Sequence, residues 1–187
     1  MYSTADIRKN LKIEIDGTPF VVVDFQFVKP GKGNAFTRTR LKNMVTGAVL
    51  DRTYKTGEKL QPASLEEHNM QFLYNDGTNY HFMNTQSYDQ VEIDAEHVGD
   101  AADYLTENLE VSILYFKDKP IGITPPFTVE LKIVETEPGV KGDTATGATK
   151  VAKTETGASF QVPLFIKEGE KIVVDTRTRE YVTRAKG

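Results

Sequence analysis

Cysteine is absent from this chain, and that absence removes a disulfide framework, thiolate catalysis and cysteine-ligated zinc at once. Long apolar runs are missing too. None approaches the roughly 20 residues that a membrane-spanning helix needs, and the opening MYSTADIRKN lacks the apolar core of a secretory signal. The expectation is a cytoplasmic protein with no membrane partner. Histidine is scarce, and His68, His81 and His97 show no helical metal-ligand spacing. His97 lies near Glu92, Asp94 and Glu96, but no EF-hand loop accompanies them, so the segment reads as a solvated acidic strand and loop. Neither a metal nor a cofactor is expected. Gly31-Lys32-Gly33 has neither the spacing nor the Gly-Lys-Ser/Thr ending of a P-loop, and there is no Gly-x-Ser-x-Gly elbow. Carboxylates are abundant, but abundance supplies no geometry. No constellation supports an enzyme.

Basic residues are nearly absent from the middle of the chain. Residues 1–62 carry 11 Lys and Arg against 6 Asp and Glu, residues 63–128 carry 2 against 12, and residues 129–187 carry 10 against 9. The net charges, +5, −10 and +1, sum to the −4 of the whole chain. Phosphate attraction acts within a Debye length, about 8–10 Å, so a basic first segment can meet RNA while an acidic middle stays clear.

What the first segment does have is a glycine-rich turn, Val28-Lys29-Pro30-Gly31-Lys32-Gly33-Asn34-Ala35-Phe36, between two strand-like runs. Before it, Val23, Phe25 and Phe27 alternate with Asp24 and Gln26. After it, Arg38, Arg40 and Lys42 alternate with Thr37, Thr39 and Leu41. Pro30 fixes its own φ, and Gly31 and Gly33 tolerate positive φ, so the chain can reverse tightly around Lys32. Strands of about eight residues would hold that lysine some 25 Å from the far end of the hairpin. On pattern alone it reads as a solvated charge at an exposed tip.

The rest of the chain is patterned as short strands between turns. In the first segment these are Leu11–Ile15, a hairpin at Asp16-Gly17, then Phe20–Val28, Phe36–Asn43 and Ala48–Tyr54. They form a small barrel of residues 1–63. A central acidic segment, 64–128, has strands at Met70–Tyr74, Tyr80–Asn84, Gln90–Ile93 and Leu109–Phe116. It also has a hairpin at Asn75-Asp76-Gly77 and a helix-compatible stretch, Gly99–Asn108. The last segment, 129–187, continues a strand spanning Phe127–Val134. A long Pro138–Thr149 loop follows, then strands at Phe160–Phe165, Lys171–Asp175 and Glu180–Thr183. The class is all-β, three consecutive small β-barrels, and strands interrupted by one short helix suit an oligonucleotide-binding (OB) barrel.

The run KPGKGNAF, followed by a basic strand and LKN, resembles the tip of the first domain of the bacterial elongation factor P family, which is related to the hypusine-containing initiation factors five-A. In the last third, Lys150-x-Ala152-x4-Gly157-x2-Phe160-x-Val162-Pro163-x2-Ile166-x2-Gly169 resembles that family's third-domain signature. The ending Asp175 to Arg184 is similar as well. Two positions depart from the pattern: Phe160 stands where an aliphatic residue is usual, and Arg179 where a glycine is usual.

The resemblance implies an SH3/KOW-like barrel followed by two OB-fold barrels, in an elongated, tRNA-like L shape. It implies a monomeric, non-enzymatic translation factor that binds the 70S ribosome beside the P-site peptidyl-tRNA, between the P and E sites, and relieves stalling at consecutive prolines. Lys32 matches the lysine that reaches toward the peptidyl-transferase centre and that some lineages extend through a lysine-modifying enzyme. Pro30, Gly31, Gly33 and Asn34 form its tip loop. Lys29, Arg38, Arg40, Lys42, Tyr181 and Arg184 are candidates for contact with ribosomal RNA and the proline tRNA. Gly142, Asp143, Thr144, Thr146, Gly147 and Thr149 are candidates for a loop near the mRNA codon. The rival readings are a general single-stranded RNA- or DNA-binding OB module and an enzyme of the acidic middle segment. The first usually interleaves aromatics with basic residues, which the strand after the tip lacks beyond Phe36.

Overall fold

The computed structural model describes residues 1–138 and 148–186. Its first sheet is built from β1 (Tyr2–Ser3), β2 (Lys12–Ile15), β3 (Thr18–Val28), β4 (Phe36–Asn43), β5 (Val49–Lys55) and β6 (Lys59–Pro62), in the order β1-β6-β2-β3-β4-β5. The β2–β3 hairpin closes through Asp16 and Gly17, both at positive φ (50° and 76°). That is the two-residue turn whose twist matches paired strands. Ile7, Leu11, Ile13, Phe20, Val22, Leu41, Tyr54 and Leu60 form the core. Beyond it, β3, β4 and β5 run on as a three-stranded finger.

A bulge at Val23 sets which face of β3 is inside. Val22 pairs with Leu41 but Asp24 pairs with Arg40, so Val23 is the extra residue. Val22 is fully buried and Val23 is exposed. Past the bulge, Phe25 and Phe27 lie opposite the buried Thr39 and Thr37, and they are exposed because the finger has left the barrel. The Thr39 hydroxyl donates to the Arg52 carbonyl at 2.7 Å, so its burial leaves no unmet polar group.

The second sheet contains β7 (Leu65–Asn75), β8 (Asn79–Asn84), β9 (Gln90–Asp94), β10 (Glu110–Phe116) and β11 (Lys119–Thr124), in the order β11-β10-β7-β8-β9. The helical stretch starts and ends earlier than the sequence suggests, running from Ala95 to Tyr104. One α-turn, α1 (Ala95–Val98), is capped by Asp94, whose Oδ1 accepts from the His97 N–H at 2.9 Å. At Gly99 the backbone turns to φ 56°, and Gly99–Tyr104 continues as a 3-10 turn. Strand β11 was not expected. Its hairpin turn is Lys117-Asp118, both at positive φ without a glycine, and it contains Pro120, which a sheet tolerates because β11 is an edge.

The β7–β8 turn is held by Asp76. Its carboxylate accepts from the N–H groups of Asn79 (2.7 Å) and Thr78 (2.8 Å), and it faces His81 Nε2 at 2.7 Å. The bond from Asn79, then those from His81 and Thr78, hold the carboxyl down at about 2. A group depressed in the folded state stabilises the fold above its unfolded value and stops doing so as pH falls through the folded one. The urea midpoint should therefore fall between pH 4 and pH 2, and Asp76→Asn should flatten that fall. An acid limb identical in the variant would contradict this assignment.

The third sheet contains β12 (Thr128–Thr136), β13 (Thr149–Thr154), β14 (Ser159–Pro163), β15 (Lys171–Asp175) and β16 (Glu180–Arg184), in the order β14-β13-β12-β15-β16. Leu131, Ile133, Ala152, Val162, Ile166, Ile172 and Val174 are fully buried in it. Strand β13 turns only small residues inward, Ala152 and Thr154, which is why its sequence carries no apolar alternation. The described residues gather into two compact units, Met1–Glu66 with Tyr115–Ile121, and Glu67–Leu114 with Gly122–Gly187. The second unit thus joins most of the second sheet to the third.

Candidate nucleic-acid interface

At the end of the finger, residues 29–35 form an open turn between β3 and β4, and Lys29, Gly31, Lys32, Gly33 and Asn34 are all exposed. Gly33 has φ 99°, and a Cβ there would meet nothing within 4 Å. The turn needs glycine for its backbone angle rather than for space. Gly31 lies outside the positive-φ region, so one glycine makes the reversal where two were expected. Pro30 joins in trans. Lys32 makes no hydrogen bond, ion pair or ring contact with any described residue.

The strand register sorts the basic residues. Gln26 faces Arg38 and Asp24 faces Arg40 across β3–β4, while Phe36 faces Lys55, Arg38 faces Thr53 and Arg40 faces Asp51 across β4–β5. Cross-strand partners share a face, so Arg38, Arg40, Lys42 and Lys55 lie on one side of the finger. They are not equivalent. Arg40 Nε donates to Asp51 Oδ1 at 3.1 Å, with Asp24 on its other flank, so acid neutralises the root of the face. Arg38 pairs with no carboxylate among the described residues; its guanidinium lies over the Phe36 ring, 5.5 Å from the centroid. Positive charge therefore concentrates toward the tip, in Arg38, Lys55, Lys29 and Lys32. Lys55 was missed in the sequence, because only the β4–β5 register reveals that it shares a face with Arg38.

Tyr181 and Arg184 belong to the other unit. Residues three apart on a regular strand point to opposite faces, yet these two share one. A bulge at Val182 shifts the register so that Tyr181 pairs with Val174 and Arg184 with Ile172. Tyr181 is half-buried, packs against the third core, and has its hydroxyl pKa pushed up by burial. Arg184 Nη2 donates to Glu170 Oε1 at 2.6 Å and lies over the Phe165 ring. The hydrogen bond from Arg184, then that from the Lys167 N–H, lowers the Glu170 carboxyl. Thr149 opens β13, its hydroxyl donating to Gln161 Oε1 at 2.9 Å. Gly142, Asp143, Thr144, Thr146 and Gly147 lie outside the described residues. Among the described residues no group of three or more His, Asp or Glu side chains is arranged to hold a metal ion.

Residues 3–60 match the elongation factor P KOW-like domain, residues 65–123 the elongation factor P OB domain, and residues 129–184 the elongation factor P C-terminal domain. The chain is 53% identical over 187 residues to elongation factor P 2 of Geobacter sulfurreducens, covering 100% of both. It is 54% identical over 185 residues to elongation factor P of Moorella thermoacetica, covering 99% of this chain and 100% of the other. A solved structure of eukaryotic translation initiation factor 5A from Methanococcus jannaschii superposes with a TM-score of 0.56 at 21% identity, over 66% of this chain and 91% of that one, a likeness of fold. With all three domains matched in order and half of its residues shared with full-length relatives, the chain belongs to the elongation factor P family.

Proposed function

We propose that this protein binds the 70S ribosome beside the P-site peptidyl-tRNA, between the P and E sites, and speeds peptide-bond formation at consecutive prolines without covalent chemistry of its own. The observation that carries the reading is Lys32, exposed and unpartnered at the tip of a finger whose charge grows toward that end. Proline is a constrained donor and nucleophile, so a factor that holds the tRNA acceptor end in a productive pose lowers the barrier by removing orientational entropy beforehand. A lysine on a three-stranded support gives point charge and reach together, and extension by a modifying enzyme would lengthen that reach. The finger serves to enter an RNA-lined cavity too narrow for a barrel. The test is relief of stalling on a proline-run reporter by the wild-type chain and by Lys32 variants.

The phosphate contacts are separable. Each phosphate neutralised by a basic side chain contributes about 0.7–0.9 to the steepness of log K against log salt concentration. Arg38→Ala should flatten the slope of ribosome binding by roughly that amount, and Arg40→Ala by clearly less, because Asp51 already neutralises Arg40. Equal slopes for wild type and Arg38→Ala would remove Arg38 from the interface.

A further inference from the structure

Phe160 and Arg179 touch each other. Arg179 sits just before β16 at φ 63°, in the left-handed region that is strained for a residue with a Cβ. Its guanidinium makes three contacts there. Nη1 donates to Asp103 Oδ2 at 2.5 Å, Nη2 donates to the Ser159 carbonyl at 3.2 Å, and the group lies over the Phe160 ring, 4.6 Å from the centroid. Tyr104, next to Asp103, is 96% buried among the core residues of the third sheet, with its ring 6.1 Å from that of Phe160. Thr156 completes the contact by donating its hydroxyl to the Asp103 carbonyl at 2.7 Å. Asp103 and Tyr104 lie in the OB-domain match, whereas Thr156, Ser159, Phe160 and Arg179 lie in the C-terminal match.

We infer that Arg179 is a positioning residue: together with Phe160 it locks the Gly99–Tyr104 turn onto the third sheet, so that the second and third barrels move as one body. The geometry is suited to this. A planar guanidinium can satisfy a carboxylate and a carbonyl while stacking on a ring, and the partly shielded site strengthens the ion pair relative to one in open solvent. Because Arg179 directly precedes β16, the lock fixes the angle at which Tyr181 and Arg184 are presented relative to the second sheet. Any consequence of that angle for ribosome binding rests on the function proposed above; the lock itself does not.

Arg179→Gly separates the lock from the turn, since glycine adopts φ 63° without strain and so preserves the β15–β16 connection while deleting every side-chain contact. Residual dipolar couplings of the backbone amides provide the readout. In the wild type the couplings from the second and third sheets should fit a single alignment tensor. In Arg179→Gly, and in Asp103→Ala, they should need two, with amide shifts unchanged outside the contact. Arg177→Ala, which removes an ion pair from the same turn without touching Asp103, should retain the single tensor. One shared tensor in both Arg179→Gly and Asp103→Ala would overturn the lock, as would two tensors in Arg177→Ala. The stalling reporter with Lys32→Ala tests the ribosomal reading separately, so failure of one is distinguishable from failure of the other.

Discussion

Lys32→Ala is expected to reduce relief of a proline-run stall to the level seen without the protein, while the melting temperature stays at its wild-type value. Loss of activity follows from the proposed role of the side chain, since the shortened residue leaves neither charge nor reach at the tip. Stability is spared for a structural reason: Lys32 is exposed and makes no described contact, and substitutions at such sites stay within about 0.5 kcal/mol. Lys32→Arg keeps the charge but replaces a compact ammonium with a broad planar group, so it should restore only part of the activity. Full relief by the alanine variant would show that the finger works through its shape or its other basic residues.

Leu41→Ala should fail the same assay for the opposite reason. Leu41 is fully buried in β4, between Arg40 and Lys42, where it pairs with Val22 and anchors the root of the finger to the first core. Truncating a buried leucine removes its transfer free energy and leaves a cavity, at a cost of about 2–5 kcal/mol. In a domain of this size that lowers the melting temperature by on the order of 10–30 °C. Calorimetry should register the loss in the transition of the first unit. A shift below about 1 kcal/mol would mean that the first barrel repacks around the gap and that Leu41 does not anchor the finger.

The two variants also mark what the sequence could disclose. The finger and its tip were legible because alternation, glycine and proline are local signals: Thr37, Thr39 and Leu41 turn inward and Arg38, Arg40 and Lys42 outward, as the pattern requires. Register was not legible. Bulges at Val23 and Val182 each move a strand's inner face by one residue, and neither has a composition that announces it. The bulge at Val182 is what brings Tyr181 and Arg184 onto one face. The pairing of Arg40 with Asp51, against the free Arg38, depends on the β4–β5 register as well. Strands β11 and β13 escaped notice because the first turns through Lys117-Asp118 without a glycine and the second buries only small side chains. In the sequence Arg179 is only a departure from the pattern of the resemblance, and only the fold reveals Asp103 and Phe160 beside it.

In the proposed function, the finger delivers residue 32 to the reacting end of the tRNA. A photo-crosslinking amino acid placed at position 32, irradiated on ribosomes stalled at a proline run, tests it directly. Crosslinks are expected to the 3′ acceptor end of the P-site tRNA and to the ribosomal RNA of the peptidyl-transferase centre. Crosslinks confined to ribosomal protein or to RNA remote from that centre would contradict it.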